Sequence, residues 1–466
     1  MNYYKVLSTI LSFLTILFIQ TTNLFGDEKQ TITPEILNEI KTSVTMDADN
    51  RAMMNAVTNN DIKKLALNRN SLEKLDHYFA HRIKTGDVTD QKSSGRCWLF
   101  TSLNVLRPAI IKKYNMKDFQ FSENYLFFWD QLEKSNRFLE SVLSSLDKEA
   151  DDRFIHWLFK SPVDDGGVWN MMVSLIHKYG AVPRKAMLES HSSENTRMMN
   201  RLINRKLREG GYELRIMYQK GTKTDQLQKH KIKILKDVYK ILLISLGEPP
   251  SEFTWRYEDK DGVIQPEKTY TPMSFAEEFV LEDLDSYMMM MNDPSKEYNK
   301  LYEIELDRNV YEGKNWTFVN LPADALKKFA KKSILADEPM YFSCDVGKQL
   351  NDDEGYLALN MYDYESMFGV KFGMDKKARI LTFDSGSTHG MALMGIDTTS
   401  DGKPSKWLLE NSWGKDRGEK GYLTMTDEWF NEYMFRLVVH KRFVSDEVLQ
   451  ILTRKPIVLP PWDPAY

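Results

Sequence analysis

The chain has only two cysteines, Cys97 and Cys344, in 466 residues. Two thiols cannot make a disulfide framework, so the fold must rest on the sizeable core that a chain of this length can bury. Cys and His nowhere occur at metal-ligand spacing, and no glycine-rich phosphate loop opens a helix, so no metal or other cofactor is implied. A strong excess of either charge is also missing. The net charge of −4 argues against a nucleic-acid partner, and the basic stretch 220–236 reads as the solvated face of a helix. One apolar run stands out, from Val6 to Ile19, with Lys5 before it and Asp27-Glu28-Lys29 after it. That order is the grammar of a secretory signal peptide ending near Gly26, and the run is short for a membrane span. The expectation is an exported protein, periplasmic or extracellular, with no stable membrane association once the leader is removed. An uncleaved anchor is the alternative. Otherwise, the 42% hydrophobic and 28% charged content is that of an ordinary globular protein.

In an exported chain Cys97 and Cys344 either pair with each other or stand free. A chain this long needs no staple, so the preferred reading is a free, functional Cys97 and a buried, inert Cys344. Cys97 follows the short polar loop Asp90-Gln91-Lys92-Ser93-Ser94-Gly95-Arg96 and opens an apolar helix. Unpaired N–H groups and the positive end of the helix dipole favour a thiolate there.

Leu99, Leu103, Leu106 and Ile110 recur at helical spacing after Cys97, and Pro108 is expected to kink or end that helix. Ser122 caps a second helix, expected over 122–134, with Tyr125, Phe128, Trp129 and Leu132 on its apolar face. Asp164-Asp165-Gly166-Gly167 breaks the pattern before a helix from Trp169 to Tyr179, which Gly180 ends. Strands are expected at 340–346, 389–396, 407–410, 422–425 and 435–440. Helices come first and strands last, which gives an α+β fold. The expected organisation is a leader (1–26), an amino-terminal extension (27–86), a helical lobe with Cys97 (87–184), a largely helical insertion (185–335), a β lobe (336–450) and a carboxyl-terminal arm (451–466), extended from Pro456 onward because of its four prolines.

A catalytic thiol needs a base, a group to orient that base, and donors for a developing oxyanion. Most of the eight histidines lie in charged helical contexts, where a surface or packing role is the default. His389 differs. It opens a buried strand, and Asn411-Ser412-Trp413-Gly414 ends the next one, so antiparallel pairing would bring Asn411 within reach of the imidazole. Cys97, His389 and Asn411 make the Cys-His-Asn set of papain-like proteases.

Here the chain resembles a known family. Gln91-Lys92-Ser93-Ser94-Gly95-Arg96-Cys97-Trp98, Tyr125 to Asp130, Val163 to Gly167, Asp345 to Lys348, Glu410 to Gly414, and Pro456 to Pro460 with Trp462-Asp463-Pro464 are similar to stretches of the papain superfamily. The match is to its bleomycin hydrolase / aminopeptidase C branch and covers essentially everything after the leader. Spacing agrees. His389 lies about 290 residues after Cys97, against about 130–150 in simple papain-like enzymes, and the insertion accounts for the surplus.

The resemblance implies a two-lobed papain-like core, a helical lobe plus an antiparallel β lobe, with a large helical insertion. It implies a cysteine-type aminopeptidase acting on peptides, with Cys97 as nucleophile, His389 as acid–base partner, Asn411 orienting His389, and Gln91 with the Cys97 N–H as oxyanion hole. It further implies that Gly166 and Gly167 pair with extended substrate, that the carboxylate of Tyr466 meets the substrate's amino group, and that the chain forms a homohexamer. Only Ala465 and Tyr466 follow Pro464, fewer residues than relatives carry, which leaves an endopeptidase or dipeptidyl-peptidase as the alternative. Thr101 and Gly390 stand where relatives often have alanine. A non-catalytic scaffold on the same fold is the third alternative; such a protein should have lost Cys97, Gln91, His389 or Asn411, and all four are present.

Overall fold

The computed structural model describes residues 31–280 and 284–464. The expected leader, Ala465 and Tyr466 lie outside the described residues. Residues 31–67 and 364–369 form one unit; 68–363 and 370–464 form the other. In the first, Thr33 caps α1 (Pro34–Thr42) and Asp47 caps α2 (Ala48–Asn59), each side chain accepting from a first-turn N–H. Ile36, Leu37, Ile40, Met53 and Met54 are exposed on these helices.

The second unit is built around the helix α3 (Cys97–Lys113). Leu99, Leu103, Leu106 and Ile110 are all buried, each contributing about 2 kcal/mol of apolar burial. Pro108 sits inside α3 without ending it. Burial of Val105, Ile110 and Ile111 around the proline holds the helix through the missing hydrogen bond. Ser122 Oγ accepts from Tyr125 N at 3.1 Å and starts α4 (Glu123–Leu143), two turns longer than expected. The extra turns are held by Phe138, Leu139 and Val142, which are fully buried. Helix α5 (Trp169–Tyr179) ends at Gly180, whose φ of +75° suits glycine.

The stretch expected to be a helical insertion carries two long helices, α6 (Arg197–Gln219) and α7 (Thr224–Leu246), which pack on each other and on α4. It then turns into strands, contrary to expectation. Its methionine- and lysine-rich composition hides their alternation, whereas pairing with the main sheet buries Met288, Met290 and Met291.

Among the described residues that mixed sheet has twelve strands: β1 (His81–Arg82), β2 (Tyr287–Met291), β3 (Lys300–Ile304), β4 (Thr317–Asn320), β5 (Met340–Cys344), β6 (Leu350–Asn351), β7 (Tyr356–Leu357), β8 (His389–Thr398), β9 (Pro404–Glu410), β10 (Tyr422–Thr426), β11 (Met434–His440) and β12 (Ile457–Leu459). Their order is β12-β3-β4-β2-β11-β5-β8-β9-β10-β7-β6, with β1 alongside β8. Most pairs are antiparallel, as expected of the β lobe; β12–β3, β2–β4 and β10–β7 are parallel. Helix α3 packs against β8, which brings the start of the helix to the start of the strand.

The tail begins in a helical turn (Gln450–Thr453), is extended over Ile457–Leu459 and turns at Pro460, whose carbonyl accepts from Asp463 N–H at 3.1 Å. Strand β12 pairs with β3, Arg153 lies 4.5 Å over the Trp462 ring, and Asp463 receives Lys296 Nζ at 2.9 Å.

Candidate active site

Both cysteines are free, Cys97 half-buried and Cys344 buried on β5. Burial and neighbouring negative charge push the Cys344 thiol well up, which leaves it inert.

Cys97 is the first residue of α3, and Arg96 before it offers no side-chain cap. Of the first-turn N–H groups, that of Trp98 reaches the thiol, whereas Leu99 N–H donates to Arg96 O at 2.9 Å. Burial acts to push the Cys97 thiol up, but the charge of His389, a hydrogen bond to its ring, and the N–H groups of Gly390 and Trp98 outweigh burial and hold the thiol below its ordinary value. The partner moves the opposite way. Burial acts to pull His389 down, but the Cys97 charge, its hydrogen bond and the bond to Asn411 hold the imidazole above its ordinary value. Opposed shifts of this kind favour a thiolate–imidazolium pair.

His389 opens β8, paired with Cys344 on one side. On the other side β9 pairs Glu410 with Ala392, so Asn411 emerges from the strand end beside the ring. Nε2–H of His389 donates to Asn411 Oδ1 at 2.8 Å. Ser412 N–H donates to the same oxygen at 2.8 Å, which fixes the amide with its acceptor toward the ring and so places the proton on Nε2. Nδ1 is left to face the thiol. The Trp413 ring lies 4.7 Å from the imidazole, tilted by 31°, and covers this bond.

Gln91 is held at four points, one of them its carbonyl, which accepts from Ser94 Oγ–H at 2.6 Å. Its N–H donates to Ser412 O at 2.8 Å, Ser412 Oγ–H donates to its Oε1 at 2.6 Å, and its Nε2 donates to Ser94 O at 2.6 Å. One of the two Nε2 hydrogens is used and the second remains. Gln91, Cys97, Gly166, Gly167, His389 and Arg436 lie around one cavity of about 400 Å³.

The 164–167 loop forms the opposite wall. Gly95 N–H donates to Asp165 Oδ2 at 2.9 Å, and Trp98 Nε1 to Asp165 O at 2.6 Å. Thr196 and Asn200 also donate to the Asp165 carboxylate. Gly167 lies directly on the Trp98 indole: a Cβ there would sit 2.6 Å from Cε2. Behind the thiol, fully buried Arg96 makes a two-point ion pair with Glu189 at 3.1 and 2.8 Å.

Of the expected site residues, Cys97, His389, Gln91, Gly166 and Gly167 come together around this cavity, and Asn411 stands behind His389 on its Nε2; Tyr466 lies outside the described residues. Sequence reasoning missed Ser412, which clamps Gln91 and Asn411 together, although its place inside Asn411-Ser412-Trp413 was a signal.

Comparisons with known proteins place the chain in a family. The model of the Peptidase C1-like family matches residues 31–465. The chain belongs to the Peptidase C1-like family. Within this family of cysteine peptidases, it is 39% identical to bleomycin hydrolase of Homo sapiens over 421 residues, 88% of this chain and 92% of the relative. It is equally 39% identical to aminopeptidase C of Lactobacillus delbrueckii subsp. lactis over 415 residues, with the same two coverages. Among solved structures, that of PepW from Lactobacillus rhamnosis superposes with a TM-score of 0.90 at 37% identity, over 94% of this chain and 99% of that one.

Proposed function

We propose that this family member is a cysteine-type aminopeptidase that works through Cys97, His389 and Asn411. The observation that carries the proposal is the Cys97–His389–Asn411 chain of contacts, with the thiol held low and the imidazole held high. Similarity to bleomycin hydrolase and aminopeptidase C supports the reaction class.

Thiolate Sγ attacks the carbonyl carbon of the scissile peptide bond, and the π electrons move onto its oxygen. The second Nε2–H of Gln91 and the Cys97 N–H receive that oxyanion, each such donor being worth on the order of 3 kcal/mol of barrier. On collapse the C–N bond breaks, and His389 gives its proton to the leaving amine. Neutral His389 then takes a proton from water, whose oxygen attacks the thioester. The acid leaves, the C–S bond breaks, and the ion pair is restored. Asn411 keeps the ring in one tautomer throughout.

Gly166 and Gly167 would pair with extended substrate, a role supported by their place on the cavity wall. The Tyr466 carboxylate would receive the substrate's amino group; anchoring of the arm as far as Asp463 supports this. The leader supports export, and family resemblance supports a homohexamer, to be checked by light scattering on purified protein.

The deciding experiment is a panel of peptides with free and acetylated amino termini. Loss of cleavage on acetylation supports an aminopeptidase. Retained cleavage would assign an endopeptidase on the same triad.

A further inference from the structure

Three successive carbonyls of the 164–167 loop point into the protein at buried donors. Asp164 O accepts from Gln131 Nε2 at 2.8 Å and from Lys134 Nζ at 3.1 Å. Asp165 O accepts from Trp98 Nε1 at 2.6 Å, and Gly166 O from Lys134 Nζ at 2.5 Å. Lys134 is 2% exposed and lies on α4, with Asp130 Oδ2 at 2.7 Å completing its surroundings and the Trp98 ring 5.5 Å away. An ammonium buried this deeply is expensive unless its position matters or its partners are excellent. The triad makes no use of it.

The peptide between Gly166 and Gly167 is trans. In a trans peptide the C=O and N–H point in opposite directions. With Gly166 O turned inward to Lys134, the Gly167 N–H is turned outward, toward the cavity that both glycines line. A cation on the carbonyl oxygen also polarises the amide, so its N–H becomes a stronger donor.

We propose that Lys134 is a positioning residue for substrate: through Gly166 O it fixes and polarises the Gly166–Gly167 peptide, so that the Gly167 N–H binds a backbone carbonyl of an extended peptide. This rests on the reading of Gly166 and Gly167 as the substrate-binding strand. Lys134 then controls how tightly extended peptide binds and leaves the reactivity of Cys97 unchanged.

The test uses two probes on the full chain. Iodoacetamide reports the thiolate alone. An epoxysuccinyl dipeptide reports the thiolate plus a bound peptide backbone, as its ring carbon is attacked by Sγ and its ring oxygen is protonated. Lys134→Met should raise KI for the epoxysuccinyl dipeptide by about tenfold or more with kinact unchanged, and leave the iodoacetamide rate unchanged. Because Lys134→Met strands the buried Asp130 carboxylate, Asp130→Asn combined with Lys134→Met provides a pair with no buried charge left unpaired, and it should show the same split. Equal losses with both probes, or none with either, would overturn the proposal. A wild-type protein that iodoacetamide alkylates but the epoxysuccinyl dipeptide does not would instead remove the substrate-strand reading, and this proposal with it.

Discussion

Asn411 Oδ1 accepts two hydrogen bonds at 2.8 Å, one from the His389 ring and one from the Ser412 backbone, while its own Nδ2 is buried with no hydrogen-bond partner among the described residues. Stranding a donor in this way is costly to folding, by about 1–3 kcal/mol. The residue is held for the ring and not for stability. Asn411→Ala should lower kcat by about a hundredfold, with stability in urea changed by no more than about 1 kcal/mol, because loss of the acceptor is offset by removal of the stranded donor.

Gln91 makes a parallel case. Gln91→Ala removes the side-chain oxyanion donor and should lower kcat by about a hundredfold or more, with KM little changed. Ser412→Ala keeps the donor but frees the Oε1 end of the amide. Its kcat should fall by about tenfold, a smaller loss because the Ser94 carbonyl still holds Nε2. Steady-state kinetics on one free-amino substrate orders the two variants.

How much of this was legible in the residues depends on what each feature requires. Cys97, His389 and Asn411 stand out because few residue types perform their chemistry and each sits at an element boundary that composition marks. Helix α5 and its end at Gly180 were equally plain. The strands β2 to β4 were not, since Met288 to Met291 show no polar–apolar alternation and depend on pairing across the sheet. Lys134 and Arg96 were hidden for a different reason. A charged side chain in a helix reads as solvated, and only tertiary packing shows that its partner is a loop carbonyl or Glu189.

Arg96→Met should destabilise the protein by about 3–5 kcal/mol, since it leaves Glu189 without its two-point partner in a nearly closed site. Burial, then the charge of Glu189, already push the nearby Glu123 carboxyl up to about 7. Removing the Arg96 cation should push it higher still. Chemical denaturation of the variant reads the loss.

Gly167→Ala brings a methyl within 2.6 Å of the Trp98 indole, a rigid ring at the foot of the nucleophile helix. The loop must shift, at a cost of about 1–3 kcal/mol. The expected result is a raised KM for extended peptides with a lower melting temperature, measured by kinetics and by thermal unfolding.

The ion pair makes the strongest demand. Its reactive form requires Cys97 to have lost its proton and His389 to have kept one. With the thiol held low, the thiolate is lost only as pH falls through that depressed value; with the imidazole held high, the imidazolium is lost only as pH rises through that raised value. Activity should therefore follow a bell between the two. The direct measurement is the rate of Cys97 alkylation by iodoacetamide against pH, in the wild-type protein and in His389→Ala. Rapid alkylation at mildly acidic pH, displaced in the variant to the ordinary thiol range of about 8.5, is the expected result. A wild-type thiol that reacts only above about pH 8, or a profile that His389→Ala leaves in place, would contradict the ion pair.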